Sequence, residues 1–338
     1  MLETTWFVLW GLLWAVYFVL DGFDFGMGTL LPFLAKNDEE KRIIYNAAGP
    51  YWDGNEVWLI TAGGVTFAAF PKAYAVMFSA LYAPLLILLF ALIFRAVSFE
   101  FRNKKDCPQW RKFWDACQFL GNFLPALLLG VAFANLFMGI PIDGNGVYHG
   151  NIIKLLNPYG LAGGIFSAMH GALWLALKSE GDIHERAVGA AQVVWPLVLA
   201  VALLFLALTA FYTNLYANYA EHPTLLVFPI LAVASLLTVR VMIWADNLLG
   251  AWFFSALFII TVTFFGVLGM YPGIIISSID PAYSVTVFNG ASSPLTLKIM
   301  LGVTLCCIPV VIAYQAWVYY TFAHKVTPES LQKDDHAY

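Results

Sequence analysis

Of 338 residues, 61% are hydrophobic and 11% are charged, against roughly 25% charged in an ordinary soluble domain. No soluble fold hides that much apolar surface, and at roughly 20 apolar residues per crossing of a hydrocarbon core about 30 Å thick, the chain supplies about eight to ten spans and little else. A net charge of −4 with scattered basic residues excludes nucleic acid as a partner.

In chain order, apolar runs predict nine membrane helices at residues 6–34, 49–71, 73–95, 116–140, 155–177, 187–212, 225–244, 250–271 and 297–322. The N-terminal run lacks a basic flank and a small-residue cleavage site and reads as a retained first helix. Two of the nine cross only by carrying acid: the first holds Asp21 and Asp24, the second Asp53 and Glu56. With the N-terminus outside and the C-terminus cytoplasmic, 14 of the 17 Lys and Arg residues fall on the inner side, Arg95 among them. Only Lys72, Lys154 and Lys298 fall outside, and one miscounted span would destroy that asymmetry. The expected fold is an all-α integral membrane protein in one domain. The segment from about 272 to 294, rich in Ser, Pro and Gly without a cation, is expected to be a surface loop or a partly re-entrant cap.

A charge at the centre of a membrane helix costs about 2.5 to 3.5 kcal/mol on insertion scales, and such residues mark ion or proton paths. In DGFDFGMG (21–28), Asp21 and Asp24 share a helix face, and the glycines admit a close neighbour. In GPYWDGNEVWL (49–59), Asp53 and Glu56 share a face. Helical rise places Glu56, Asp24 and Asp21 at about 10, 15 and 20 Å from the inner surface, with Asp53 nearer to it. Such a ladder of desolvated carboxyls suits proton transfer. The competing expectation is that the acids pair with Asn46, Asn55, indole N–H groups or a cation from another chain and only lock the bundle.

Of six histidines, only His170 lies well inside a span, so a haem held by two buried histidines cannot be assembled here. A single-ligand haem on His170 stays open beside hydrogen-bonded packing. The four cysteines, Cys107, Cys117, Cys306 and Cys307, have no zinc spacing, and no metal site is expected.

Several motifs together resemble subunit II of the cytochrome bd-type quinol oxidases, which include the cyanide-insensitive oxidases. They are DGFDFGMG, GPYWDGNEVWLITAGG (49–64), FAAFPKAYA from Phe67, FRAVSFEFR from Phe94, FLGNFLPALLLGVAFANL from Phe119, LLNPYGLAGG from Leu155 and MYPGIIISS from Met270. The resemblance covers almost the whole chain. It implies two four-helix bundles plus one peripheral helix, in the inner membrane of a prokaryote. It also implies a partner, subunit I, carrying two haems b and one haem d and oxidising quinol, with no haem on this chain. The complex reduces dioxygen to water with protons drawn from the cytoplasm and without pumping, and the charge separation builds a proton-motive force. A structural quinone or lipid against subunit II and a small single-helix third subunit belong to the same expectation. Trp52 and Asp53 match the family's WD element, implicated in proton delivery to haem d, and Asp21 and Asp24 match its DGFD element. Some members carry a neutral amide at the position of Glu56. Two other classes compete: a stand-alone proton-coupled transporter, which would work without a partner, and a purely structural anchor.

The charge asymmetry makes a topology prediction. A reporter fused after Tyr338 reports the cytoplasm and one in the loop near Gly290 reports the outside; both on one side would end the nine-span scheme.

Overall fold

The computed structural model describes residues 1–157, 159, 165–333 and 338. Among them, seven helices are long and apolar enough to cross a membrane: Leu2–Leu34, Tyr82–Lys104, Pro108–Met138, Gly181–Tyr212, Pro223–Trp244, Leu248–Met270 and Pro294–Thr321. The α-helices are α1 (Leu2–Leu34), α2 (Asp38–Ala48), α3 (Trp52–Ala69), α4 (Pro71–Ala80), α5 (Tyr82–Phe101), α6 (Pro108–Met138), α7 (Ile165–Lys178), α8 (Gly181–Tyr212), α9 (Leu215–Glu221), α10 (Val227–Trp244), α11 (Leu248–Met270), α12 (Pro294–Thr321) and α13 (Pro328–Lys333). The expected segments 49–71 and 155–177 correspond to α3 and α7; residues 158 and 160–164 of the second, with part of its LLNPYGLAGG motif, lie outside the described residues.

The expected helix at 73–95 is broken. It divides into α4 and α5 at Leu81, whose φ and ψ of −102° and 19° leave the helical basin. Pro84, in the first turn of α5, has no N–H to give and crowds the carbonyl four residues back, so an uninterrupted helix would be distorted there. The 272–294 segment is also more ordered than a loop. Gly273–Ile275 and Val285–Thr286 pair as an antiparallel ribbon, Ile140 bridges to Ser277, and Ile274, Ile275, Val285 and Val287 are buried. This small β cap closes one end of an otherwise helical molecule, and α2 lies at the other end.

The first helix is the axis of packing, in contact with α3, α6, α7 and α11. Its contact with α7 rests on two glycines. A Cβ on Gly26 would stand 2.0 Å from the Ser167 carbonyl, and one on Gly171 would stand 2.4 Å from the Gly26 backbone, so the helices meet backbone to backbone. By contrast α12 buries only Leu297 along its length and lies against the outside of the bundle.

At the α2 end, charged side chains form a collar. The Asn37 side chain caps α2 by accepting from the Glu40 N–H. Arg102 bonds both Asp38 and Asp115 at 2.6 Å, Lys41 reaches Asp115 at 2.8 Å, and Arg186 reaches Glu40 at 2.6 Å. These pairs tie α2 to α6, to α8 and to the turn that follows α5.

The glycine contact is directly testable. Gly171→Ala forces α1 and α7 apart and is expected to destabilise the protein by about 1 to 3 kcal/mol, read as a lower thermal midpoint in detergent. Gly189→Ala, where an added Cβ meets nothing within 4 Å, should leave the midpoint unchanged or higher.

Candidate acid site in the helix bundle

The four acids do not form one ladder. Three of them are gathered around Arg95 and Asn55, and the fourth faces outward. Arg95 of α5 is fully buried; its Nη1 lies 2.7 Å from Asp21 Oδ1 and its Nη2 lies 2.5 Å from Glu56 Oε1. One guanidinium therefore joins α1, α3 and α5, a planar fork suited to two carboxylates in a way that a lysine ammonium is not. Gly121 of α6 makes the approach possible, because a Cβ there would stand 2.8 Å from the Arg95 backbone. The Phe25 ring covers the guanidinium at 4.8 Å.

Asp24 is held differently. Its Oδ2 accepts from Asn55 Nδ2 at 2.8 Å, and the other Asn55 atom, Oδ1, accepts from the Tyr319 hydroxyl at 3.1 Å. Among the described residues no cation lies within ion-pair distance of Asp24, and its second oxygen has no hydrogen-bond partner. Asp21 and Glu56 are thus fixed as counter-ions, while Asp24 is buried beside neutral groups.

The expectation that the acids find their cation on another chain is overturned for Asp21 and Glu56: Arg95 supplies it from within. Asn55 is a partner as foreseen, whereas Asn46 is engaged elsewhere, with Arg42 and Tyr338. Arg95, expected among the inner-side cations, is instead fully buried within the bundle. Its spacing four residues before Phe99 and seven before Arg102 was the available signal of a face turned inward.

Asp53 stands in the first turn of α3 but is exposed. It heads a stripe with Val57, Ile60, Gly64 and Phe67, all exposed, on one side of the helix. Trp52 is turned the other way, stacked on Phe99 at 5.2 Å and 7°. Farther along α3, Trp58 donates to Gln315 Oε1 and Gln315 donates back to the Gly54 carbonyl, each at 2.9 Å. With Tyr319, these bonds pin α12 to the site.

His170 is spent on packing. Its Nε2 lies 3.0 Å from the Val19 carbonyl, which only accepts, so Nε2 carries a proton, and Nδ1 lies 2.6 Å from the Ser255 hydroxyl. The ring stacks on Trp252 at 5.3 Å. A haem iron would have to displace one of these bonds. Among the described residues no three His, Cys, Asp or Glu side chains cluster as a metal site. An apolar cavity of about 140 Å³, lined by Phe18, Phe25, Leu129, Phe133, Ile259 and Val262 among others, lies between α1, α6 and α11.

Residues 2–322 match the family described as cytochrome bd terminal oxidase subunit II. The chain is 37% identical over 336 residues to cytochrome bd ubiquinol oxidase subunit 2 of Bacillus subtilis, covering 96% of this chain and 97% of that one. It is 34% identical over 376 aligned positions to cytochrome bd-I ubiquinol oxidase subunit 2 of Escherichia coli K12, covering 99% and 98%. In fold it is similar to a chain of the bd oxidase from Geobacillus thermodenitrificans, with a TM-score of 0.79 at 16% identity over 95% of this chain and 98% of that one.

The geometry separates two kinds of variant. Arg95→Gln strands two buried carboxylates and should cost about 3 to 5 kcal/mol, seen as loss of purified protein; adding Asp21→Asn should recover part of it. His170→Ala should lower yield through lost packing but leave haem content of a purified complex unchanged. Selective loss of one haem signal would show ligation.

Proposed function

Because the chain belongs to the cytochrome bd terminal oxidase subunit II family and is a multi-pass protein of the prokaryotic inner membrane, we propose that it is the non-haem subunit of a quinol:oxygen oxidoreductase. In this reading it scaffolds a subunit I that carries two haems b and one haem d, and it supplies protons from the cytoplasm for reduction of dioxygen to water. The observation that carries the reading is a buried acid site with one member, Asp24, free of any ion pair.

A group that conducts must both accept and release a proton, and a carboxylate clamped by a guanidinium is poorly placed to do so. Arg95, Asp21 and Glu56 therefore form the fixed electrostatic frame, and Asp24 is the exchanging group. Asp53 and Trp52, at the mouth of α3, pass protons toward the partner.

The outward position of Asp53 supports this. An ionisable group on the lipid side of a span is costly, and a second subunit covering the stripe from Asp53 to Phe67 removes that cost. Gly63 and Gly64, with nothing within 4 Å of an added Cβ, leave room for a partner helix to come close. The arrangement also favours nine spans: α3 and α7 join the seven apolar helices, with α1, α3, α5 and α6 as one bundle, α7, α8, α10 and α11 as the other, and α12 peripheral. The cavity beside Phe25 offers apolar room for part of a structural quinone or lipid. The stand-alone transporter reading gains no support from the relatives compared, two of which are named as ubiquinol oxidase subunits.

The test is the purified complex. A preparation containing this chain should absorb as b- and d-type haems and consume oxygen with quinol; a colourless, active single chain would overturn the reading. Asp24→Asn, nearly isosteric but unable to exchange a proton, should keep normal haems and electron entry yet turn over slower by about 10²-fold or more. Full turnover per haem would remove Asp24 from the path. Gly64→Leu should abolish co-purification of the haem-bearing subunit, while retention of that subunit would place the interface elsewhere.

A further inference from the structure

Beyond α12 the chain turns back over the inner end of the bundle and is fastened on both sides of residues 49–53. On one side the Val326 N–H donates to the Lys178 carbonyl at 2.7 Å. The Lys178 ammonium in turn donates to the Tyr51 hydroxyl at 2.8 Å and to the Phe322 carbonyl. In α13, Leu331 is buried in the same cluster as Ile43 and Ile44 of α2.

The second fastening is Tyr338. Asn46 reads its main chain at two atoms: the Tyr338 N–H donates to Asn46 Oδ1 at 3.0 Å, and Asn46 Nδ2 donates to the Tyr338 carbonyl at 2.8 Å. Arg42 Nε donates to the same carbonyl at 3.0 Å. The ring meets Phe99 edge-on at 5.3 Å and 69°, and its hydroxyl donates to Glu100 at 3.3 Å. Gly49 gives the ring its place, since a Cβ there would stand 2.8 Å from it. Phe99 connects this contact to the acid site, because besides Tyr45, which it meets edge-on at 5.4 Å, it carries the Trp52 ring stacked flat upon it.

We propose that Tyr338 is a positioning residue for the acid site: seated between α2 and α5, it holds Phe99 and thereby Trp52 and the start of α3, whose first turn carries Asp53 and whose next carries Glu56. The inference rests on the proton-delivery reading above, and it adds Tyr338 to a site to which α12 already contributes Tyr319. With Tyr338 removed, Phe99 loses one of its ring contacts and the Trp52 side of the turn loses part of its backing, while the opposite side stays bonded through Tyr51 and Asn55.

The test uses the assembled complex. Tyr338→Ala should raise amide hydrogen exchange in residues 49–56 at least about threefold without changing α11, and should lower oxygen consumption per haem about three- to tenfold with KM for quinol unchanged. Tyr338→Phe keeps the ring and should restore both. If Tyr338→Ala fails to assemble, Asn46→Ala, which removes two of the three main-chain bonds to Tyr338 and leaves its ring, should show the same pair of effects. Unchanged exchange in residues 49–56 overturns the inference whatever the turnover. Raised exchange with normal turnover overturns it too, leaving Tyr338 a fastening without influence on the reaction. The slowed turnover of Asp24→Asn judges the proton reading separately, since the Asp24 carboxylate is held by Asn55 and, among the described residues, makes no hydrogen bond to the chain beyond α12.

Discussion

The structure depends on one buried cation. A guanidinium with no solvent exposure, deep among apolar helices, is tolerable only when its charge is answered. Asp21 and Glu56 answer it from two other helices. The pairing dictates the phase of α1, α3 and α5 about their axes, and Gly121 of α6 and Phe25 of α1 are the accommodations it requires. It also explains why acid is carried in two spans. Two carboxylates answer one arginine, and the third, Asp24, is left to neutral partners.

In the proposed reading that imbalance is the source of the site's chemistry. Three acids around one cation leave a group whose protonation is not pinned by a counter-ion. Asn55 holds Asp24 in place while also accepting from Tyr319, so α12 bears on the Asp24 carboxyl. The collar of Asp38, Arg102, Asp115 and Lys41 fixes α2 under the bundle, and the residues joining α2 to α3 become a short rigid mouth at Tyr51, Trp52 and Asp53.

Much of this was legible in the sequence. Composition and run length are strong signals, because a bilayer demands about 20 apolar residues wherever the chain crosses; seven described helices are long and apolar enough to do so, and the third expected span falls in two pieces. The DGFD and WDGNE elements located the site because intramembrane acids are rare for energetic reasons. What escaped was rotational phase. Hydropathy along a span that is apolar all round does not say which side faces protein, so Asp53 and Glu56, three residues apart, were assigned to one face, whereas Glu56 turns in to Arg95 and Asp53 turns out. Arg95 escaped because a basic residue at the end of an apolar run has an ordinary explanation at the interface. The break at Leu81 was marked by Pro84, and the β cap was hidden because its strands are too short to show alternation.

The most direct measurement is proton uptake from the inner side of vesicles containing the oriented complex, followed after a pulse of quinol reduces the haems. With Asp24→Asn, the account predicts that the haems fill with electrons at the normal rate while uptake lags by about tenfold or more; Glu39→Gln, outside the site, behaves as wild type. Uptake in Asp24→Asn at the wild-type rate would contradict the account and leave the buried acids as structure alone.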